Sequence, residues 1–422
     1  MPEGMKILPI LLLVSAVQVA FNLLYFTRYV TIDDTGGGGD DNSPRSGRAH
    51  RYRPVVSDRS DLILTGMART YGDVSDPALN FLVDMSCLHA VSSVVYVSED
   101  NADGHRTRKK FTNKIAAISV HRYAPLRDVF RNSTSSNCGN RIRVRQVPQD
   151  QILLVSSIAE ERAKAKGEGG GGGSDVERDS VVPAIIRKNS PLDPVNRIAR
   201  IKRAREHSRR ELLKEMVLER QVRNESVTTG TAWLRNRAVG VLDLDLYSYP
   251  PVEEVVAISD RLVGERWGGP DAICANGLQV HKGRRGYYDT FATVLDGVDG
   301  VGNEEFESMS QAQKLRWIME YNDENRRFER GTAPGSVSGG TGQPDRLNLV
   351  PVRSCFNGLT VYSADAYLDL SCRYDGYHPD DAAFVSKREG QACEHVVFHE
   401  CLRRTRRFGM AVAADVFTLW HH

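Results

Sequence analysis

Hydrophobic and polar positions along the chain follow two periods, and the shorter one appears first. Leu62-Ile63-Leu64-Thr65-Gly66 is an apolar run closed by glycine, the pattern of a buried strand. Residues 78–87 read as a helix. Ser93-Val94-Val95-Tyr96-Val97 predicts a second strand, followed by the acidic turn Ser98-Glu99-Asp100-Asn101-Ala102-Asp103-Gly104. Residues 141–147 alternate Ile142, Val144 and Val147 with polar side chains, as an extended segment does. A helix is predicted over 152–166 and a long one over 195–223. The apolar positions of the long one are Ile198, Ile201, Leu212, Leu213, Met216 and Val217, crowded by Arg197, Arg200, Lys202, Arg203, Arg205, Arg209 and Arg210. An apolar strand, Ala238-Val239-Gly240-Val241-Leu242, then runs into Asp243-Leu244-Asp245, and Pro250-Pro251 stops it. Strands alternating with helices predict the α/β class, with a mostly parallel sheet flanked by helices.

Three stretches interrupt this pattern. Residues 33–53 hold the run Gly36–Gly39, acidic residues and Pro44, too polar to pack, and read as a flexible stem. Residues 167–174 and 332–345 are Gly-rich and read as surface insertions. Before the stem, residues 7–26 are almost entirely apolar and about long enough to cross a bilayer. The alternative is a cleavable signal peptide, but the run continues well past Ala16. Either way the rest of the chain enters the secretory pathway. The sequons at Asn132 and Asn224 agree with that placement.

The hydrophobic fraction of 41% supports a sizeable core, and 56 basic against 54 acidic residues argue against a nucleic-acid binder working by bulk charge. The seven cysteines are Cys87, Cys138, Cys274, Cys355, Cys372, Cys393 and Cys401. None forms a CxxC pair, so a zinc ribbon is not expected. The crowding of the last four predicts at least one disulfide among them in an oxidising lumen, and the odd total leaves at least one cysteine over.

The candidate chemistry centres on Asp243 and Asp245, which strand geometry would point the same way. Two neighbouring carboxylates at the end of a strand suit Mn²⁺ or Mg²⁺ holding a diphosphate. An arginine of the long helix could reach that diphosphate with its planar guanidinium. Polar and aromatic residues cluster at 267–277, at Tyr287-Tyr288-Asp289, at 354–362 and at 393–401, a mixture that suits sugars. Asp289 and Glu394 are the candidate catalytic carboxylates. His395 and His399, four apart, would share a helix face, and one of them is the candidate late metal ligand beside Asp243 and Asp245.

These motifs together resemble nucleotide-sugar glycosyltransferases of the GT-A fold. Their particular form is similar to the fungal capsule-associated α-1,3-mannosyltransferases and their relatives in protists and algae. The resemblance spans about 61–402 and rests on Gly66-Met67-Ala68-Arg69, the acidic turn from Glu99, the Arg-rich helix and the Asp-x-Asp. It also rests on Asp271-Ala272-Ile273-Cys274-Ala275-Asn276-Gly277, Tyr288-Asp289-Thr290-Phe291-Ala292, Cys355-Phe356-Asn357-Gly358-Leu359 and Cys393-Glu394-His395. Where relatives often carry Arg-Asn in the helix, this chain has Arg205-Glu206.

The resemblance implies a metal-dependent transfer of a sugar, mannose first, from GDP-mannose or secondly a UDP-sugar to a glycan acceptor. It implies Gly66, Arg69, Glu99, Arg197, Arg205, Asp243 and Asn276 toward the nucleotide sugar, and Tyr288, Asn357 and Gly358 toward the acceptor. Asp245 is the expected direct metal ligand, with Asp243 on the ribose or a metal-bound water. The expected organisation is a cytoplasmic tail (1–6), a transmembrane anchor (7–27), a stem (28–58) and a catalytic domain (59–422) with halves 59–247 and 248–422 and insertions near 167–180 and 332–345. That describes a single-pass type II protein of the Golgi or endoplasmic reticulum membrane. Two other readings use the same residues: a non-catalytic sugar-binding protein of the same fold, and a metal-dependent hydrolase built on Asp243, Asp245, His395 and His399.

Overall fold

The computed structural model describes residues 61–68, 70–97, 104–123, 138–147, 197–222, 232–264, 269–281, 284–289, 292–295, 303–329, 347–376, 378, 384 and 392–421. The expected anchor, stem, helix over 152–166 and Gly-rich insertions lie outside the described residues, as do both sequons. Among the described residues no helix is long and apolar enough to cross a membrane.

The first apolar run is strand β1 (Leu62–Ala68) and the second is β2 (Ser92–Val97). Between them lies helix α1 (Asp76–His89). Ser75 caps it by accepting a hydrogen bond from the Ala78 amide at 3.1 Å, and Pro77 sits in its first turn, where a missing N–H costs nothing. Helix α2 (Gly104–Tyr123) leads towards β3 (Ile142–Gln146). The Arg-rich segment is α3 (Arg197–Val222), and the strand entering Asp-x-Asp is β4 (Ala238–Asp243). Helix α4 (Val252–Gly264) starts after the double proline and buries Val252, Val255, Ile258, Ser259 and Leu262, one face at helical spacing.

The second half adds β5 (Ala272–His281), β6 (Arg284–Tyr287), β7 (Val294–Leu295), α5 (Asn303–Ser308) and α6 (Gln311–Glu329). The chain then forms β8 (Leu349–Ser354), β9 (Leu359–Ser363), the short α7 (Ala364–Tyr367), α8 (Glu394–Thr405) and β10 (Met410–His421).

All ten strands share one sheet in the order β3-β2-β1-β4-β9-β5-β10-β8-β7, with β6 beside β5. β3, β2, β1 and β4 pair in parallel, as do β5 and β10. β9 is inserted antiparallel between β4 and β5, and β8 runs antiparallel to β10. The sheet is therefore mostly parallel in strand direction but mixed in pairing. The chain's first half supplies the parallel block, as its uniformly apolar strands suggest.

Side chains alternate between two cores, as a strand's period of two requires. Ile63, Val239, Val241, Cys274 and Val412 face α3, α6 and α8. Leu62, Leu64, Leu242, Ile273 and Ala275 face α1, α2 and α4. In α3 the fully buried Arg209 is bound by the Glu206 carboxylate and donates to the carbonyls of Tyr367, Asp369 and Cys372. It anchors the segment after α7, so this arginine is structural rather than a ligand contact.

Three disulfides staple the described core: Cys87–Cys138, Cys274–Cys355 and Cys372–Cys401. The last is a pairing within the crowded late group. Cys355 instead bonds Cys274 across the sheet, and Cys393 is free and buried. Non-reducing mass mapping should recover these three links, with Cys393 alkylated only after unfolding. Removing Cys372–Cys401 by a double serine substitution should cost about 2–4 kcal/mol in denaturant unfolding. All seven cysteines alkylating without reduction would contradict the pairing.

Candidate active site

The site is assembled at the C-terminal end of β4, the edge where ligands bind in open α/β sheets. Asp243 is the last residue of β4, and its amide donates to the Gly358 carbonyl at 2.8 Å. Beyond it the chain bends at Leu244 and Asp245, yet Leu244 stays buried in the same core as Leu242 while Asp245 is exposed. The bend is pinned from three sides. The Ser75 amide donates to the Leu244 carbonyl at 2.7 Å and the Ser75 hydroxyl to the Leu246 carbonyl at 2.8 Å. Ser248 and Leu419 exchange backbone hydrogen bonds. The Tyr249 hydroxyl donates to the Asp243 carbonyl.

Arg205 reaches this edge from α3. Its Nη2 donates to Asp243 Oδ1 at 3.1 Å, and its Nε lies 3.3 Å from Glu394 Oε1, close enough for an ion pair but not aligned as a hydrogen bond. Its guanidinium sits 4.7 Å from the centre of the Phe356 ring, a cation–π contact. Burial opposes its charge, but Asp243 and Glu394 outweigh that and hold its pKa above the ordinary value.

Asp289 follows Tyr288 and accepts backbone N–H groups on both oxygens, Ala292 at 3.2 Å and Asn357 at 3.1 Å. Burial pushes its carboxyl up to about 6, against those two donors. Burial also pushes Asp243 up to about 7; Arg205 pulls it down while Asp245 and Asp289 push it further up. Asp243 and Glu394 thus flank the Arg205 guanidinium, Asp289 lies within its field, and Asp245 adds its charge beside Asp243.

The Asn357–Gly358 turn holds the group together. Both residues lie at positive φ, 53° and 79°, and the Leu359 amide closes the turn on the Phe356 carbonyl at 3.1 Å. This is the pattern that Asn-Gly favours. The Asn357 side chain donates to the Ala275 carbonyl and the Tyr287 hydroxyl, both at 2.7 Å. A Cβ on Gly358 would meet Leu246 at 2.8 Å.

Several expected contacts fall elsewhere. Asn357 is fully buried, so its side chain binds the protein interior and not an acceptor, and Gly358 contributes its carbonyl to Asp243. Asn276 is also fully buried and donates to the Ala414 carbonyl at 3.0 Å, holding β5 to β10 rather than a nucleotide. Gly66 leaves room for Leu244, whose Cδ2 would lie 2.7 Å from an added Cβ, so it packs the bend. Arg69, Glu99 and the Arg197 side chain lie outside the described residues.

The expected four-ligand metal set is not assembled. The two nitrogens of His399 are hydrogen-bonded to the hydroxyls of Ser354 and Tyr362, both at 2.8 Å, so it is a satisfied core histidine. His395 stacks on Phe356, ring centres 3.9 Å apart, and its buried nitrogens have no hydrogen-bond partner among the described residues. Burial, then Arg205 and His399, hold it well below its ordinary pKa, hence neutral. Among the described residues no three His, Cys, Asp or Glu side chains converge as metal ligands. Asp243 and Asp245 nonetheless fit a hard cation of the Mg²⁺ type, which takes one or two carboxylates and completes its shell with water and substrate phosphates.

Sequence reasoning missed Tyr249 and Trp420. Tyr249 follows the Asp-x-Asp at a distance no motif marks, and Trp420 stands at the end of an unforeseen strand.

No family model matches the chain, and no curated protein matches it. Among solved structures it is similar to S. aureus TarS 1–349, with a TM-score of 0.32, and to TarS 1–349 in complex with UDP, with 0.30. Both are 11% identical, and each match covers 86% of this chain and 60% of the TarS chain. A likeness of that size carries no argument about what this chain does.

The raised Asp243 carboxyl makes stability depend on pH. Folded, it keeps its proton up to about pH 7; unfolded, it releases it near roughly pH 4. Between these values the folded state binds more protons, so this group's contribution to stability falls as pH rises. Asp243→Asn removes the titration. In EDTA, the variant's unfolding free energy relative to the parent should climb between about pH 4 and about pH 7 and level off above. A pH-independent difference would contradict the assignment.

Proposed function

We propose that the chain is a glycosyltransferase that moves a sugar from a nucleotide-sugar donor to a glycan acceptor. The observation that carries the reading is the acid excess at the C-terminal end of β4, where Asp243, flanked by Asp245 and Asp289, and Glu394 share the Arg205 guanidinium. An excess of negative charge at a ligand-binding edge calls for a cation, and a donor diphosphate calls for the same cation. Asp243 and Asp245 are the residues that would hold Mn²⁺ or Mg²⁺. Bound there, the metal would neutralise charge building on the departing nucleoside diphosphate.

The chain's own groups divide the remaining work. Arg205 lies beside Asp243 and can turn its guanidinium to a diphosphate oxygen, whose geometry it matches. Asp289 is the better candidate base. At neutral pH it is mostly ionised yet more basic than an ordinary aspartate, and two backbone amides fix its orientation. Glu394 is held by Arg205 and sets the position of that guanidinium.

GDP-mannose is the first donor we propose and a UDP-sugar the second, on the sequence resemblance alone. We further propose a lumenal site in the secretory pathway behind the apolar segment at 7–27. Three disulfides suit an oxidising compartment.

The test is a donor screen. Full-length protein with Mn²⁺ is given each common nucleotide sugar, and nucleoside diphosphate release is followed. One donor should turn over, and Asp245→Asn should slow it on the order of a thousand-fold. Asp289→Asn should slow it about 10²–10⁴-fold. No release with any donor would overturn the reading in favour of a non-catalytic sugar-binding protein, and full activity in Asp245→Asn with EDTA present would overturn the metal assignment.

A further inference from the structure

Tyr288 and Trp420 stack with ring centres 4.7 Å apart and planes 18° from parallel. They come from distant parts of the chain. Trp420 lies near the end of β10, opposite Gln279 of β5. Tyr288 follows β6, and its amide donates to the Gly277 carbonyl at 2.9 Å. Gly277 makes the approach possible, since a Cβ there would lie 3.1 Å from the Tyr288 Cβ. The pair sits beside the acid cluster because β10 is tied to the bend after β4. Tyr247 and Ser248 donate to the Leu419 carbonyl at 2.9 and 3.2 Å, and Leu419 donates back to Ser248 at 3.0 Å. Trp420 is the next residue.

Core aromatics of the neighbourhood are sealed: Tyr287 and Phe306 are buried. Tyr288 and Trp420 are only half-buried. Burial, and then the fields of Asp243, Asp289 and Asp245, hold the Tyr288 hydroxyl above its ordinary pKa, which sets the ring beside these carboxylates. A flat apolar wall edged by carboxylates suits one ligand chemistry in particular. A pyranose ring lays its C–H face on an aromatic ring and donates its hydroxyls to carboxylates. A nucleobase also stacks, but it lacks the row of ring hydroxyls that these carboxylates could receive.

We propose that the Tyr288–Trp420 stack offers an outer ring face, a wall on which a pyranose ring of the acceptor stacks, with Asp289 nearby to receive a hydroxyl. This rests on the glycosyltransferase reading for the word acceptor, but sugar binding itself can be measured without turnover.

The experiment is saturation-transfer NMR on the full-length protein with methyl glycosides of mannose, glucose, galactose and xylose, and with GDP and UDP. The wild-type protein should saturate ring protons of at least one glycoside. Trp420→Ala should weaken that binding roughly tenfold, beyond the stacking contribution alone because contact area is lost as well. Trp420→Phe, which keeps a flat ring, should retain most of it. Trp420→Leu, which keeps apolar bulk without a ring face, should not, and its thermal midpoint shows whether it folds. Equal glycoside binding in folded Trp420→Leu, or no glycoside bound by the wild type, would overturn the wall. So would a loss confined to the nucleobase protons, which would make the wall a base platform. Failure of GDP and UDP to bind, with glycoside saturation still lost in Trp420→Leu, would sink the transfer reading and keep the sugar wall.

Discussion

Asn357 and Gly358 stand side by side in the left-handed region, and the polar groups of the site hang from that turn. The Asn357 amide fixes Asp289, the Gly358 carbonyl receives the Asp243 amide, and the Asn357 side chain locks the turn to β5 through Ala275. These bonds are buried or partly buried, so each is costly to leave unmade: roughly 1–3 kcal/mol for a stranded buried partner. The turn also enters β9, the strand wedged antiparallel between β4 and β5. A rigid join at that place makes the distance between Asp243 and Asp289 a property of the sheet rather than of two loops.

The fold spends that rigidity on an arrangement that opposes itself electrically. Carboxylates crowd a partly dry edge, and Asp243 and Asp289 both rise above the ordinary aspartate range because burial and neighbouring carboxylates disfavour their charge. Arg205 relieves part of this through Asp243 and Glu394. A cluster built for stability alone would balance its charges; this one keeps an acid excess at a sheet edge where ligands bind. On the proposed reading, the missing positive charge is that of a cation arriving with a polyanionic substrate.

Much of this was legible in the chain. The first strands, α1, the Arg-rich helix and the strand entering Asp243 are strong local patterns, and they form where expected. So is the mixture of Asp289, Tyr288 and Asn357, although the sequence could not tell a side chain that binds a ligand from one that holds its neighbour. Asn276 and Asn357 look alike in a motif, and only burial shows both turned inward. His395 and His399 share a helix, yet Ser354 and Tyr362, remote in sequence, decide that His399 is a core residue. The antiparallel insertion of β9 and the pairing of β10 with β5 were not legible, because long-range register leaves no local trace. Trp420 went unseen for the same reason.

The claim beneath the rest is that the acid edge binds a divalent cation only in company with a diphosphate, since Asp243 and Asp245 offer too few ligands to hold one alone. Calorimetric titration of Mn²⁺ into the full-length protein, with and without saturating GDP or UDP, measures it directly. The account predicts weak or undetectable heat for Mn²⁺ alone and at least tenfold tighter binding with one of the two nucleotides present. Equal Mn²⁺ affinity with and without nucleotide, or no binding in either case, would contradict it.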